Sequence, residues 1–189
     1  MWVYITYTPR LPSEYQEVEY IQSSGTQYIN TSIKLNNTNW IELKARLTWA
    51  NNNWDKLYWW WNANSCLLMQ WNNDSTATSD IKNKISITNY NNDYNQYKVF
   101  STSVIQQWDI HTYKHTNTAF YIDWVLQWTC NASTFTMWTW LNIFANSNSN
   151  WTWRQKSIYA LYYMKIYNSS NNIVYDFVPC YRKSDNVIW

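Results

Sequence analysis

An all-β fold, two antiparallel sheets packed face to face as a β-sandwich, is the class this sequence predicts, and three observations predict it. Apolar and polar residues alternate with period two along WIELKARLTW (40–49), which puts Ile41, Leu43, Ala45 and Leu47 on one face and Glu42, Lys44 and Arg46 on the other. A succession of similar short runs follows, separated by Asn-rich or Ser-rich connections. No amphipathic helical pattern extends beyond about two turns, and no sequence repeat interrupts the series.

Taken in order, residues 1–10 read as a short leader, with Pro9 and Pro12 at the junction with a single domain over 11–189. EVEYIQ (17–22) and TQYIN (26–30) read as two short strands joined through Ser23, Ser24 and the only glycine, Gly25. After 40–49, strands are predicted at 55–60, 65–70, 84–90, 96–102, 109–116, 118–122, 125–129, 141–146, 157–167 and 172–178. FYIDWVLQWTC (120–130) is the clearest hairpin, with a two-residue loop at Asp123-Trp124. Such a loop favours a type I′ turn, in which both central residues need positive φ. Asp-Gly is the usual pair; a tryptophan Cβ in the left-handed region costs roughly 1–2 kcal/mol that glycine avoids.

The composition narrows the function. A net charge of +2 with 14% charged residues provides no field to gather nucleic acid or an anionic membrane, so neither is an expected partner. No apolar run reaches the roughly 20 residues of a spanning helix, and MWVYITYTPR is too short and polar for a signal-peptide core. Cys66, Cys130 and Cys180 are odd in number and widely spaced, so they read as small apolar residues.

Two counts are anomalous: one glycine and 16 tryptophans. A chain of this length would ordinarily hold roughly 13 glycines, and the tryptophan excess is about as large as the glycine deficit. Tryptophans also sit among turn formers, as in Asn53-Trp54-Asp55, Gln70-Trp71-Asn72, Trp138-Thr139-Trp140 and Trp151-Thr152-Trp153, where glycine is normally found. Against an Asn-, Ile-, Tyr- and Lys-rich background typical of AT-rich coding, the reading that accounts for both counts is that most of these residues are UGA codons. The host genome would then read UGA as glycine, as some uncultured bacterial lineages do. The competing reading is a truly Trp-rich surface for stacking on sugars.

LPSEYQEVEYIQSSGTQYINTSI (11–33) and YALYYMKIYNSSNNIVYDFVPCYRKSDNVIW (159–189) resemble the concanavalin A-like, laminin-G-like jelly-roll domains of tail-associated structural proteins of phages and prophages. Asn30-Thr31-Ser32 stands where that group has Asp-Thr-Gly, and Trp124, Trp128 and Trp189 stand where it has glycine. The group usually continues for another strand or two past the position of Trp189, so the chain is expected to be truncated there. The resemblance implies a non-enzymatic adhesion, carbohydrate-recognition or structural module on a virion tail. Its expected partners are host-surface glycan, other tail proteins and, in a trimeric fibre, two further copies of the chain. The alternatives are a bacterial cell-surface or secreted adhesion domain, and the accessory carbohydrate-binding domain of a glycoside hydrolase.

Chemistry beyond binding has little to rest on. A sandwich glycosidase needs two carboxylates about 5–9 Å apart, commonly from an E-x-D-x-x-E strand, and that motif is absent. Glu14, Glu17 and Glu19 read as a solvated face, with Glu17 and Glu19 on one strand. His111 and His115 project the same way on a strand about 13 Å apart, too far for a common ion, and read as exposed strand histidines. Asp74 and Asp80 are the only candidates for calcium, and without a third positioned oxygen they read as a plain polar loop. Tyr58, Asn62, Asn64 and Arg154 are candidates to meet a sugar, but with 20% aromatic residues they single out no site. No catalytic or metal residue is assigned.

Overall fold

The computed structural model describes residues 11–47, 56–62, 65–72, 84–91, 97–100, 108–132, 134, 136, 140–144, 146–147, 153–154 and 158–186. In chain order the strands are β1 (Tyr15–Glu17), β2 (Ile21–Gln22), β3 (Ile29–Asn30), β4 (Trp40–Leu47), β5 (Lys56–Asn62), β6 (Ser65–Asn72), β7 (Lys84–Asn91) and β8 (Tyr97–Phe100). They continue as β9 (Ile110–His115), β10 (Ala119–Ile122), β11 (Val125–Thr129), β12 (Asn142–Ile143), β13 (Asn146–Ser147), β14 (Trp153–Arg154), β15 (Tyr159–Tyr167), β16 (Ile173–Phe177) and β17 (Cys180–Arg182). The described residues contain strands, turns and loops but no helix.

These strands form an antiparallel β-sandwich. One sheet has the order β11-β10-β9-β4-β15-β16, with β2 pairing β15 as its seventh strand; the other runs β3-β12-β5-β6-β7-β8. Two small pairs, β1 with β17 and β13 with β14, stand apart from them. Alternation decides which side chains enter the space between the sheets. Ile41, Leu43 and Ala45 of β4 are fully buried, as are Tyr113, Phe120, Met164 and Ile166 of the same sheet. From the second sheet Ile87, Phe100 and Ile143 complete one core, and Phe100 meets Phe120 with ring centroids 5.6 Å apart.

The strands of four or more residues lie close to their predicted spans, and those of two or three do not. EVEYIQ divides, because Glu17 ends the pair with β17 while Ile21 opens a strand against β15, so Glu17 and Glu19 share no strand. LNIFAN divides at Phe144, whose φ of 66° takes it out of the extended region and whose buried ring packs 4.4 Å from Tyr159. The hairpin forms as expected, with Asp123 at φ 48° and Trp124 at φ 68°. The turn at Gly25 is held by its own side chains: Ser23 Oγ accepts the Gly25 N–H at 3.0 Å, and Gln27 Oε1 accepts the Ser24 N–H at 2.8 Å. Gly25 sits at φ 88°, where a Cβ would meet the Ile158 side chain at 3.0 Å. Ser32, in the place of the expected glycine, has φ 56°.

Candidate functional site

Residues on the outward side of the seven-stranded sheet make the best-defined polar and aromatic surface. From β4 come Trp40, Glu42, Lys44 and Arg46, opposite the apolar inward set. On β15 a bulge between Leu161 and Tyr163 changes the phase, so Tyr163 pairs with Lys44, Lys165 with Glu42 and Tyr167 with Trp40, all on the outward side. On the other flank Lys114 of β9 pairs with Glu42, and Tyr121 of β10 pairs with Lys114.

Glu42 lies at the centre and is only 5% exposed. Each carboxylate oxygen accepts from a tyrosine hydroxyl: Tyr163 Oη donates to Oε1 at 3.0 Å and Tyr167 Oη to Oε2 at 3.3 Å. Burial pushes both phenols up, each to about 12, opposed at Tyr163 by a hydrogen bond with Thr112 and helped at both by the Glu42 carboxylate, so they remain donors across the physiological range. Lys165 and Lys114 are the register partners of Glu42 on the two neighbouring strands. The Lys165 ammonium lies 5.2 Å from the Tyr163 ring centre.

Beside Glu42, the Trp40 indole lies flat on the Tyr167 ring, with centroids 3.6 Å apart and planes within 2°. Its Nε1–H donates to Asn171 Oδ1 at 3.2 Å, and the Lys114 ammonium stands 4.4 Å from the indole centre and 5.3 Å from that of Tyr121.

A second polar group gathers at the β10–β11 turn. Asp123 accepts the Thr112 N–H at 2.9 Å through Oδ1, and its Oδ2 lies 2.6 Å from His111 Nδ1. Asp109 Oδ2 stands 3.9 Å from His111 Nε2. Burial tends to raise the Asp123 carboxyl, but the Thr112 N–H, the His111 ring and Lys44 outweigh it and leave its pKa lowered. Trp108 and Trp124, both mostly exposed, stand at this end of the sheet.

The histidines need a correction. His115 is not exposed but fully buried, because β9 lies between β4 and β10 and its inward position faces the core; the ring meets Phe120 edge-on at 5.5 Å. Burial lowers its pKa to about 3, so it is neutral. His111 is half-buried and held by Asp123. Glu14, Glu17 and Glu19 are solvent-exposed. Tyr58 and Asn62 lie on β5 and Arg154 on β14, with backbone alone described; Asn64, Asp74 and Asp80 lie outside the described residues. Cys130 is half-buried and Cys180 buried; Cys66 lies on β6. Among the described residues no group of three His, Cys, Asp or Glu side chains is arranged to hold a metal ion. The sequence pointed to none of Tyr121, Tyr163, Tyr167 or Lys114 as site residues. Its one signal for the tyrosines is the spacing of Leu161 and Met164, odd where an even one would continue the strand phase.

No family model and no curated protein matches the chain. Among solved structures it is similar to a β-1,3-glucanase from Mycobacterium marinum, at 10% sequence identity and a TM-score of 0.47, over 82% of this chain and 75% of that one.

Proposed function

We propose that this chain is a non-catalytic carbohydrate-recognition module of a phage or prophage tail, binding glycan on the outward face of its seven-stranded sheet. The observation that carries this reading is the outward row around Glu42: the half-buried rings of Trp40, Tyr121 and Tyr163 interleaved with Lys114 and Lys165, an aromatic and polar face of the kind that meets sugar rings and their hydroxyls. The virion assignment is supported by the resemblance of residues 11–33 and 159–189 to tail-associated domains. Host-surface glycan and other tail proteins are the partners in this reading, and the chain acts on the virion or at a cell surface.

Glu42 serves binding rather than hydrolysis in this reading, with both oxygens engaged by tyrosyl donors. A glycan array with the purified chain tests it. Binding to a host polysaccharide, weakened in Glu42→Gln and without release of reducing ends, is the expected result. Silence across the array would leave the structural, fibre-capping role, and turnover lost in Glu42→Gln would make the protein an enzyme.

The glycine reading of the tryptophans belongs to the same proposal. Trp108 and Trp124 have φ of 72° and 68°, the left-handed region that a bulky side chain seldom adopts. Both indoles are mostly exposed, so core burial does not offset that strain. Tandem mass spectrometry of the protein from its own host reads these positions directly, and tryptophan at both would overturn the recoding.

A further inference from the structure

We infer that the face of Tyr167 is a subsite for a neutral hexopyranose ring, and that in this sequence the Trp40 indole fills it as an intramolecular plug. The inference rests on the carbohydrate-binding reading and names where that binding happens. The indole is a flat apolar ring lying 3.6 Å from the Tyr167 ring and parallel to it, the position a sugar ring takes when it stacks on an aromatic side chain.

The groups around the indole also suit a sugar ring. An indole has one hydrogen-bond donor, which Asn171 Oδ1 accepts at 3.2 Å. The Lys114 ammonium, 4.4 Å from its centre, meets only the π face, where a pyranose would offer hydroxyl oxygens. The Asn171 carboxamide, which the indole now occupies, adds an acceptor. The charges near this slot balance, with Lys114 and Lys165 against Glu42 and Asp176, which Lys165 pairs across β15 and β16. That balance selects a neutral sugar over a uronate.

Position 40 is also one of the 16 tryptophans. With glycine there the slot would stand open, so the decoding of one codon sets whether the subsite is available.

The test compares the parent chain with Trp40→Gly, Trp40→Ala and Trp40→Phe by calorimetric titration with neutral gluco-, manno- and galacto-oligosaccharides and with an oligouronide. Removing the indole is expected to strengthen neutral-sugar binding by about tenfold, the scale of one aromatic stacking contact. Trp40→Phe, which keeps a ring but loses the tie to Asn171 and is the substitution safest for folding, is expected to fall in between. In the Trp40→Gly chain, Tyr167→Phe should retain the gain and Tyr167→Leu should abolish it. Glycan binding indifferent to positions 40 and 167 would overturn the subsite while leaving the module reading intact. Equal gain for the oligouronide would overturn the neutral-sugar assignment. Folded chains that bind no glycan, whatever stands at position 40, would overturn both.

Discussion

The two faces of the seven-stranded sheet both carry tyrosines, β15 supplying each face, and use them in opposite ways. Inward, Tyr113 and Tyr159 are buried among apolar side chains, and burial drives their hydroxyls far above the usual tyrosine range. Outward, Tyr163 and Tyr167 keep part of their rings in solvent and donate to a carboxylate. What separates Tyr159 from Tyr163 on β15 is not composition but one extra residue. Strict alternation from Tyr159 through Leu161 would send Tyr163, Lys165 and Tyr167 inward as well; the bulge at Tyr162 reverses the phase and lets Met164 and Ile166 take those places.

The most severe way to break that difference is to put a charge on the inward side just past the bulge. Met164 is fully buried, and in Met164→Lys an ammonium would face the core, where a charge costs several kcal/mol without a partner. The expected outcome is loss of cooperative melting, while deletion of Tyr162, which removes only the extra residue and leaves Tyr163 paired with Lys44 and Met164 with Leu43, still gives a cooperative melt.

Substitutions at adjacent residues of β10 probe the two faces without changing the phase. Phe120 is fully buried between His115, Tyr113 and Phe100, so Phe120→Ala should cost about 3–5 kcal/mol. Tyr121 is half-buried on the outward face beside Lys114, and Tyr121→Ala should cost about 1 kcal/mol or less. Chemical denaturation of both variants measures the gap, and equal losses would mean that the outward face is also core.

This contrast marks what the sequence made legible. β4 was readable because nothing disturbs its alternation and Ile41, Leu43 and Ala45 fall in step. The β10–β11 hairpin was readable because only a two-residue loop joins its strands. The division of LNIFAN depends on Phe144 gaining a buried contact with Tyr159 in exchange for a left-handed backbone, a tertiary effect with no local signature. The burial of His115 was missed for a related reason, since a strand histidine is buried or exposed according to which face of the sheet its position meets, and only the pairing of β9 with β4 sets His115 beside Ile41 on the inward side. The site around Glu42 needs β9, β4 and β15 side by side, and only their pairing brings Lys114, Glu42 and Lys165 into one row.

Protonation gives a third test of the inward face. The unfolded His115 titrates near 6.5 and the folded one near 3, so between those values the unfolded chain binds the extra proton. Stability contributed by neutral His115 is therefore complete above about pH 6.5 and declines as pH falls toward 3, by up to about 1.4 kcal/mol per pH unit. Denaturant midpoints between pH 6.5 and 5, above the range where most carboxylates titrate, should show this slope in the parent and a flatter one in His115→Gln. An unchanged slope would mean that another group carries it.

The smallest effect concerns corners, where the same backbone angle is occupied by a buried ring at one place and an exposed one at another. Phe144 and Trp124 have φ of 66° and 68°, yet Phe144 is 3% exposed and Trp124 is 62% exposed. Glycine at 124 removes a left-handed penalty of roughly 1–2 kcal/mol and returns part of it through the greater freedom of the unfolded chain, roughly 0.5–1 kcal/mol. Trp124→Gly should therefore stabilise the protein by about 0.5–1 kcal/mol, while Phe144→Gly, losing a ring packed on Tyr159, should destabilise it by several kcal/mol. Thermal melts of the two variants would show opposite shifts. A fall in melting temperature for Trp124→Gly would mean that the exposed indole makes contacts worth more than the strain it imposes, and the hairpin would lose its standing as a glycine corner.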